Sequence, residues 1–277
     1  MLTKHIYVMK YLKQTAIFCL SMIFLCTSCQ QEAEEAQPTL DDVPAELLAK
    51  IKKAGFSTEN VIAFDGKVFI EGDIVLTYEQ VEQLAPGGDI PNSEHYSTTN
   101  LVTGTPRVIS VYVNMPTLYQ NATDIAIARY NAEGLNLTFQ RISSSSGADI
   151  TIRASPWWYR FFGILGSAGF PTAGGNPHNE ILMTRAFYDN VQNINGLATT
   201  IAHEMGHCIG FRHTDYMDRS FSCGGATDNE GDGGVGAVYI PGTPTGPSAN
   251  SWMLACGSPE GDRPFTSADK TALGTLY

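Results

Sequence analysis

Apolar residues along this chain change their spacing several times, and each change marks an element. After Pro44, the residues Leu47, Leu48, Ile51 and Ala54 recur at helical spacing, which predicts a helix. The stretch 67–76 is dense in β-branched and apolar residues and reads as one strand, while Thr77 with Gln80 three residues later reads as a capping box opening a second helix. This charged unit, 41–85, is too short to bury much core alone and is expected to lean on the domain C-terminal to it. From Pro86 to Pro106 the chain is rich in Gly, Pro, Ser, Thr and Asn, the composition of a linker or exposed loop. Beyond it, strands are expected at 108–113, 137–142, 149–153 and 180–184, with a helix at 118–132 after the first of them. Thr266 with Asp269 caps a last helix that packs through Leu273 and Leu276. The fold class is α/β (α+β), a mixed sheet with helices, and no internal repeat interrupts it.

The N-terminus reads as a targeting segment. The apolar run 16–25 follows Lys10 and Lys13, with Met9 an alternative start, and is too short for an ordinary membrane-spanning helix. Thr27-Ser28-Cys29 resembles a bacterial lipobox, although Cys26 stands where a Leu is expected. That resemblance implies lipidation at Cys29 and a cell-envelope protein held to the outer membrane or cell surface through its lipid, with soluble secretion as the alternative. Glu32, Glu34 and Glu35 then open a polar tether. The expected division is a lipoprotein signal peptide at 1–28, a tether, propeptide and linker at 29–106, and a catalytic domain at 107–277. With 277 residues, 43% of them hydrophobic, the chain can build one sizeable core. A net charge of -11 without any basic run argues against nucleic acid as a partner, because phosphates need Lys and Arg to neutralise them.

Candidate chemistry concentrates in 201–213, IAHEMGHCIGFRH. Here His203, Glu204, His207, Gly210 and His213 fall on the spacing H-E-x-x-H-x-x-G-x-x-H. On a helix His203 and His207 lie one turn apart and point the same way, so two imidazoles can share one Zn²⁺. Gly210 can take the left-handed conformation that ends a helix, which lets the chain turn and bring back His213 as a third nitrogen ligand. Three protein ligands leave a fourth position for water, the catalytic arrangement, and Glu204 is placed to act as general base. With all five positions fixed, a chance match is on the order of 10⁻⁵ for average residue usage.

The pattern resembles the metzincin metallopeptidases, and Ser251-Trp252-Met253 downstream resembles their Met-turn, which implies that Met253 lies beneath the metal. Through VFIEGDIVL, IAHEMGHCIGFRHTD, IPGTP and SWM, the region from Phe64 to Tyr277 is similar to the bacterial dual-action HEIGH peptidases, with HEMGH meeting their signature. The resemblance implies a zinc endopeptidase acting on peptide or protein substrates. Phe69-Ile70-Glu71-Gly72-Asp73-Ile74 resembles the aspartate-switch segment of astacin propeptides, which implies a zymogen latched by Asp73 on zinc. The competing class is a non-catalytic surface adhesion or binding lipoprotein with structural zinc, which would not require Glu204.

Other features carry weaker expectations. Trp157, Trp158, Tyr159, Phe161 and Phe162 form either a wall of the substrate cleft or a hydrophobic cluster under a loop. His178 is a candidate for a structural zinc or a solvent-exposed histidine. Asp228, Glu230 and Asp232 resemble the start of a calcium loop; Tyr239 at the twelfth position rules out an EF-hand, leaving a looser Ca²⁺ site. Outside the leader stand Cys208, Cys223 and Cys256, so one disulfide and one free thiol are expected. A Cys208–Cys223 bridge is favoured because it would pin the chain just after the metal helix; the leftover cysteine as a zinc ligand is the alternative. Substrate is expected to add a strand along the sheet edge preceding that helix, at 180–184.

Overall fold

The computed structural model describes residues 40–54, 56–84, 95–227, 229, 237–244 and 246–277. Cys29, the leader and the acidic tether lie outside the described residues, as do Asp228, Glu230 and Asp232 of the calcium expectation. Among the described residues no helix is long and apolar enough to cross a membrane.

The N-terminal unit begins with helix α1, Ala45–Ala54. Strands β1 (Ile62–Phe64), β2 (Lys67–Ile70) and β3 (Ile74–Thr77) follow as an antiparallel sheet in that order, and then helix α2 (Tyr78–Glu82). The capping box forms as expected, with the Gln80 amide donating to Thr77 Oγ1 (3.1 Å) and the Thr77 amide to Gln80 Oε1 (2.7 Å). The single strand expected over 67–76 is instead a hairpin. Glu71 and Gly72 sit at φ 57° and 91°, conformations that reverse the chain, and Ile70 then pairs with Ile74. Leu47, Ile51 and Ala54 bury against Val68, Ile70, Leu76 and Val81, and Phe170 of the later chain joins this cluster. The small unit thus completes its core on its neighbour.

Next come β4 (Tyr96–Ser97), β5 (Arg107–Asn114), α3 (Thr117–Asn131), β6 (Leu137–Ile142) and β7 (Ile150–Ala154). A 3-10 turn at Trp157–Phe162 leads to β8 (Gly166–Ser167), β9 (Glu180–Met183) and α4 (Arg185–Tyr188). Helix α5 (Ile194–Cys208), α6 (Ser220–Cys223), β10 (Val238–Tyr239) and α7 (Ser267–Leu276) complete the chain. The main sheet has the order β6-β5-β7-β9-β8, parallel throughout except for β8 against β9, so it is mixed as the pattern implies. Tyr119, Ala122, Ala126 and Tyr130 of α3 meet Leu197, Ala198, Ile201 and Met205 of α5 in the principal core. A hydrogen bond from Tyr130 Oη to Ala202 O (2.7 Å) ties these two helices at mid-length.

The sheet corrects the expected edge. Strand β9 lies between β7 and β8, so 180–184 offers no free edge; β8 is the outer strand. Its edge is taken by the N-terminal unit: Ala168 N donates to Asp73 O (3.0 Å), Val75 N donates to Ala168 O (3.0 Å), and Ile74 pairs with Ala168 in parallel. Residues of the Gly- and Ser-rich stretch are also built in. Tyr96 and Ser97 pair with Tyr239 and Val238, Tyr96 O accepts from Arg212 N (3.0 Å), and buried His95 meets Asp269 Oδ1 through Nε2 at 2.7 Å.

The disulfide joins Cys223 to Cys256, and Cys208 is free and buried. The expected Cys208–Cys223 pairing is therefore wrong, for a physical reason: Cys208 ends α5 on its core side, packed with Ile209 and Met205, away from solvent. The observed bridge closes a 33-residue separation and holds α6 to the segment after Met253. Replacing both Cys223 and Cys256 with Ser is expected to cost about 3–4 kcal/mol by loop entropy. Chemical denaturation of the two proteins side by side checks this, and an unchanged midpoint would refute it.

Candidate metal centre

Helix α5 places the cluster. Asn193 caps its start by accepting from Asn195 N (3.1 Å), and Gly210, at φ 107°, ends the turn beyond it so that the chain reverses at once. His203 and His207 leave the helix on one face, and the reversal returns His213 opposite them. Their Nε2 atoms converge: His207 Nε2 lies 3.1 Å from His203 Nε2 and 3.2 Å from His213 Nε2. Asp73, carried in by the β2–β3 hairpin, puts Oδ2 3.3 Å from His203 Nε2, 3.1 Å from His213 Nε2 and 4.0 Å from His207 Nε2. All four residues are buried, and among the described residues this is the one group of three or more candidate ligands.

The donor chemistry fits a dication. His203 Nδ1 faces Trp252 O at 2.8 Å and His207 Nδ1 faces Phe211 O at 2.9 Å, so each ring spends its proton on a backbone carbonyl and turns an Nε2 lone pair inward. Burial, reinforced by His203 and His213, holds the His207 imidazole well below its usual range and keeps it neutral. Joining these atoms by protons alone would require charged, buried imidazoles; one cation at the centre satisfies every lone pair together. A tetrahedral zinc site with bonds near 2.0–2.1 Å sets its ligand atoms about 3.3–3.4 Å apart, the scale of the separations found here. Asp73 Oδ1 and Glu204 Oε2, on the carboxylates beside the cluster, are buried without a hydrogen-bond partner, polar atoms that a cation or its water would satisfy.

Glu204 is one residue along the helix and fully buried. Burial chiefly, and the Asp73 carboxylate next, push its pKa well above the ordinary carboxylate range. A cavity of about 490 Å³ opens beside it, lined by Thr200, Leu165, Phe162, Arg219 and Arg263 together with 71–73. Phe162 lines this cavity, whereas Trp158 and Tyr159 are buried with Phe64 and Phe69 of the N-terminal unit, the hydrophobic cluster that was one of the two expectations for the aromatic run. His178 is half-buried, close behind Gly169, and belongs to no group of three candidate ligands among the described residues.

Met253 is fully buried, and a Cβ on Gly206, next to His207, would come within 2.6 Å of its sulfur, so the absence of a side chain there admits it. Ser251 Oγ accepts from Met253 N (3.2 Å) and donates to Asp269 Oδ1 (2.7 Å), which fastens this turn to the cap of α7. The sulfur packs against Gly206 of α5. Met253→Leu is accordingly expected to cost less than about 1.5 kcal/mol and to leave the bound metal in place. Metal content and thermal unfolding of that variant check it, and loss of the metal would show that the sulfur does more than pack.

Compared with known families, residues 68–277 match the dual-action HEIGH metallo-peptidases. The chain belongs to that family. The match begins inside strand β2, so the hairpin carrying Asp73 lies within it together with the histidines. Two solved structures of myroilysin are also similar, one at 14% identity over 64% of this chain and 82% of that one, with a TM-score of 0.38. The other shows 13% identity over 71% and 95%, with a TM-score of 0.41. No curated protein sequence matches.

Of the residues singled out from sequence, the structure brings His203, His207, His213 and Asp73 together and sets Glu204 in the wall of the adjacent cavity. Sequence reasoning missed Glu71, Arg212 and Arg219, which hold the hairpin turn. Arg219 Nη2 donates to Glu71 O (2.6 Å), and Arg212 Nη2 lies 3.9 Å from Glu71 Oε2 with both side chains fully buried. Glu71 between Ile70 and Gly72, and Arg212 between Phe211 and His213, were the available signal.

Proposed function

We propose that this metallopeptidase is a zinc endopeptidase of metzincin type, made as a zymogen whose N-terminal unit carries Asp73 into the metal site. The observation that carries it is the convergence of the His203, His207 and His213 Nε2 atoms with an Asp73 oxygen, two of the rings being oriented by backbone carbonyls. When bound, Zn²⁺ supplies a Lewis acid that lowers the pKa of water towards about 7 and polarises the scissile carbonyl. Glu204 takes a proton from the attacking water at a carboxylate oxygen and delivers it to the leaving nitrogen, so that water adds, the C–N bond breaks, and an acid and an amine form.

Ala168, at the β8 edge, holds an extended peptide by its N–H and C=O, the groups that Asp73 O and Val75 N now occupy. The same strand pairing keeps substrate out while the N-terminal unit is in place. Release of that unit frees both the edge and the site of Asp73. The leader pattern and Cys29 support a cell-envelope lipoprotein, with secretion as the other outcome, and labelling with a palmitate analogue in a bacterial host separates them.

The experiment for this reading is the double substitution His203→Ala with His207→Ala. Wild-type protein should contain about one zinc per chain and, after cleavage between α2 and β4, cut members of a peptide library; the variant should do neither. Zinc retained at wild-type level in the variant would end the proposal.

A further inference from the structure

The turn that follows the metal helix, 209–212, is gripped by a segment from far upstream. Residues 95–103 cross it just before the chain reaches His213. Thr98 N donates to Gly210 O (2.8 Å), Ser97 forms an antiparallel bridge with Phe211, and Arg212 N donates to Tyr96 O (3.0 Å). Farther along, Val102 N donates to Tyr277 Oη (3.2 Å), and that hydroxyl donates in turn to Ile209 O. The approach is close: a Cβ on Gly210 would fall 2.8 Å from Leu101 Cδ2 and 3.1 Å from Asn100 O. Gly210 therefore serves twice, through its φ of 107° and through the room it leaves.

The start of this strap reaches the other side of the site. His95 is buried, and its Nε2 donates to Asp269 Oδ1 at 2.7 Å. The same oxygen accepts from Ser251 Oγ (2.7 Å), while Thr266 N donates to Asp269 Oδ2 (2.8 Å). Ser251 Oγ also accepts from Met253 N (3.2 Å). Between these two residues stands Trp252, whose carbonyl orients the His203 ring through Nδ1 (2.8 Å). His95 Nδ1 has no hydrogen-bond partner among the described residues, so one bond through Nε2 holds the ring. A buried carboxylate shared by three donors fixes its neighbours only while each donor is present.

We propose that 95–103 is a permanent part of the metal site and that His95 is a positioning residue for His203, acting through Asp269, Ser251 and the Trp252 carbonyl. The strap partners named above all lie in 209–277, the part of the chain that carries Met253 and His213, so the strap stays behind when the unit carrying Asp73 is released. The activating cut consequently falls before His95, and the chain that remains keeps the strap across the turn to its third ligand. This inference rests on the zinc-endopeptidase reading above.

The test compares three uncut full-length chains: wild type, His95→Gln and His95→Phe. Zinc affinity is measured by competition with a chromogenic chelator, and the metal geometry by the visible spectrum of the cobalt-substituted protein. Gln can present an N–H where Nε2 stands, whereas Phe keeps the bulk of a ring without the donor. Affinity at least about 10-fold weaker is expected for His95→Phe, the scale of losing a partner that orients a metal-bound histidine, together with a changed cobalt spectrum. His95→Gln should lie closer to wild type than to His95→Phe in both measurements. Should His95→Phe fail to fold, His95→Ala is read in its place. N-terminal sequencing of the active form should find that it begins at or before His95. A donor-free variant equal to wild type in affinity and spectrum, His95→Gln as weak as His95→Phe, or an active form that begins beyond Thr98 overturns this inference and leaves the endopeptidase reading standing. A wild type that binds no zinc overturns both.

Discussion

Replacing Glu204 with Ala should leave about one zinc per chain and lower peptide hydrolysis by at least about 10²-fold, the usual scale for removing a general acid-base group. The geometry separates the two effects. The three nitrogens that would hold the metal owe their positions to α5, to the turn at Gly210 and to the carbonyls of Trp252 and Phe211, none of which Glu204 supplies. Glu204 contributes instead a buried carboxylate that lines the cavity and has one oxygen without a hydrogen-bond partner. Zinc analysis and kinetics on the cut protein check the prediction together. Retained zinc with wild-type turnover would move the base elsewhere, and lost zinc would make Glu204 part of the binding site.

Asp73→Ala in the uncut chain should raise activity by at least about 10-fold, because a contact to a charged group is worth about 1.5–3 kcal/mol and its loss vacates the fourth position. It should still fall short of the cut protein. Strand β3 would remain paired with Ala168, and Glu71 would remain between Arg212 and Arg219, so substrate would meet an occupied edge. Activity of the uncut wild type already equal to that of the cut form would refute the latch. An Asp73→Ala chain as inactive as wild type would place inhibition wholly in the strand pairing.

How much the chain alone discloses depends on the range of the interactions. The metal helix, the turn at Gly210, both capping boxes and the strands at β5 and β6 rest on residues a few positions apart, and local spacing reports them. The hairpin inside 67–76 was hidden because Glu71 adopts a positive φ stabilised by contacts distant in sequence, among them Ser57, Arg212 and Arg219. The disulfide partner of Cys223 was hidden for the same reason: Cys256 reaches it through a loop whose path no local pattern encodes. The sheet edge was misplaced by one strand because β8 is two residues long and carries a glycine, too little to register as a strand. Asp269 was read as a helix cap, and it is one; that the same carboxylate also holds Ser251 and His95 needed the fold.

The most direct measurement is anomalous diffraction at the zinc edge from crystals of the uncut protein. One peak is expected, within about 2.0–2.2 Å of Nε2 of His203, His207 and His213 and of an oxygen of Asp73. No peak among these atoms, or a peak on the three histidines with Asp73 turned away from it, would contradict the latched zinc site.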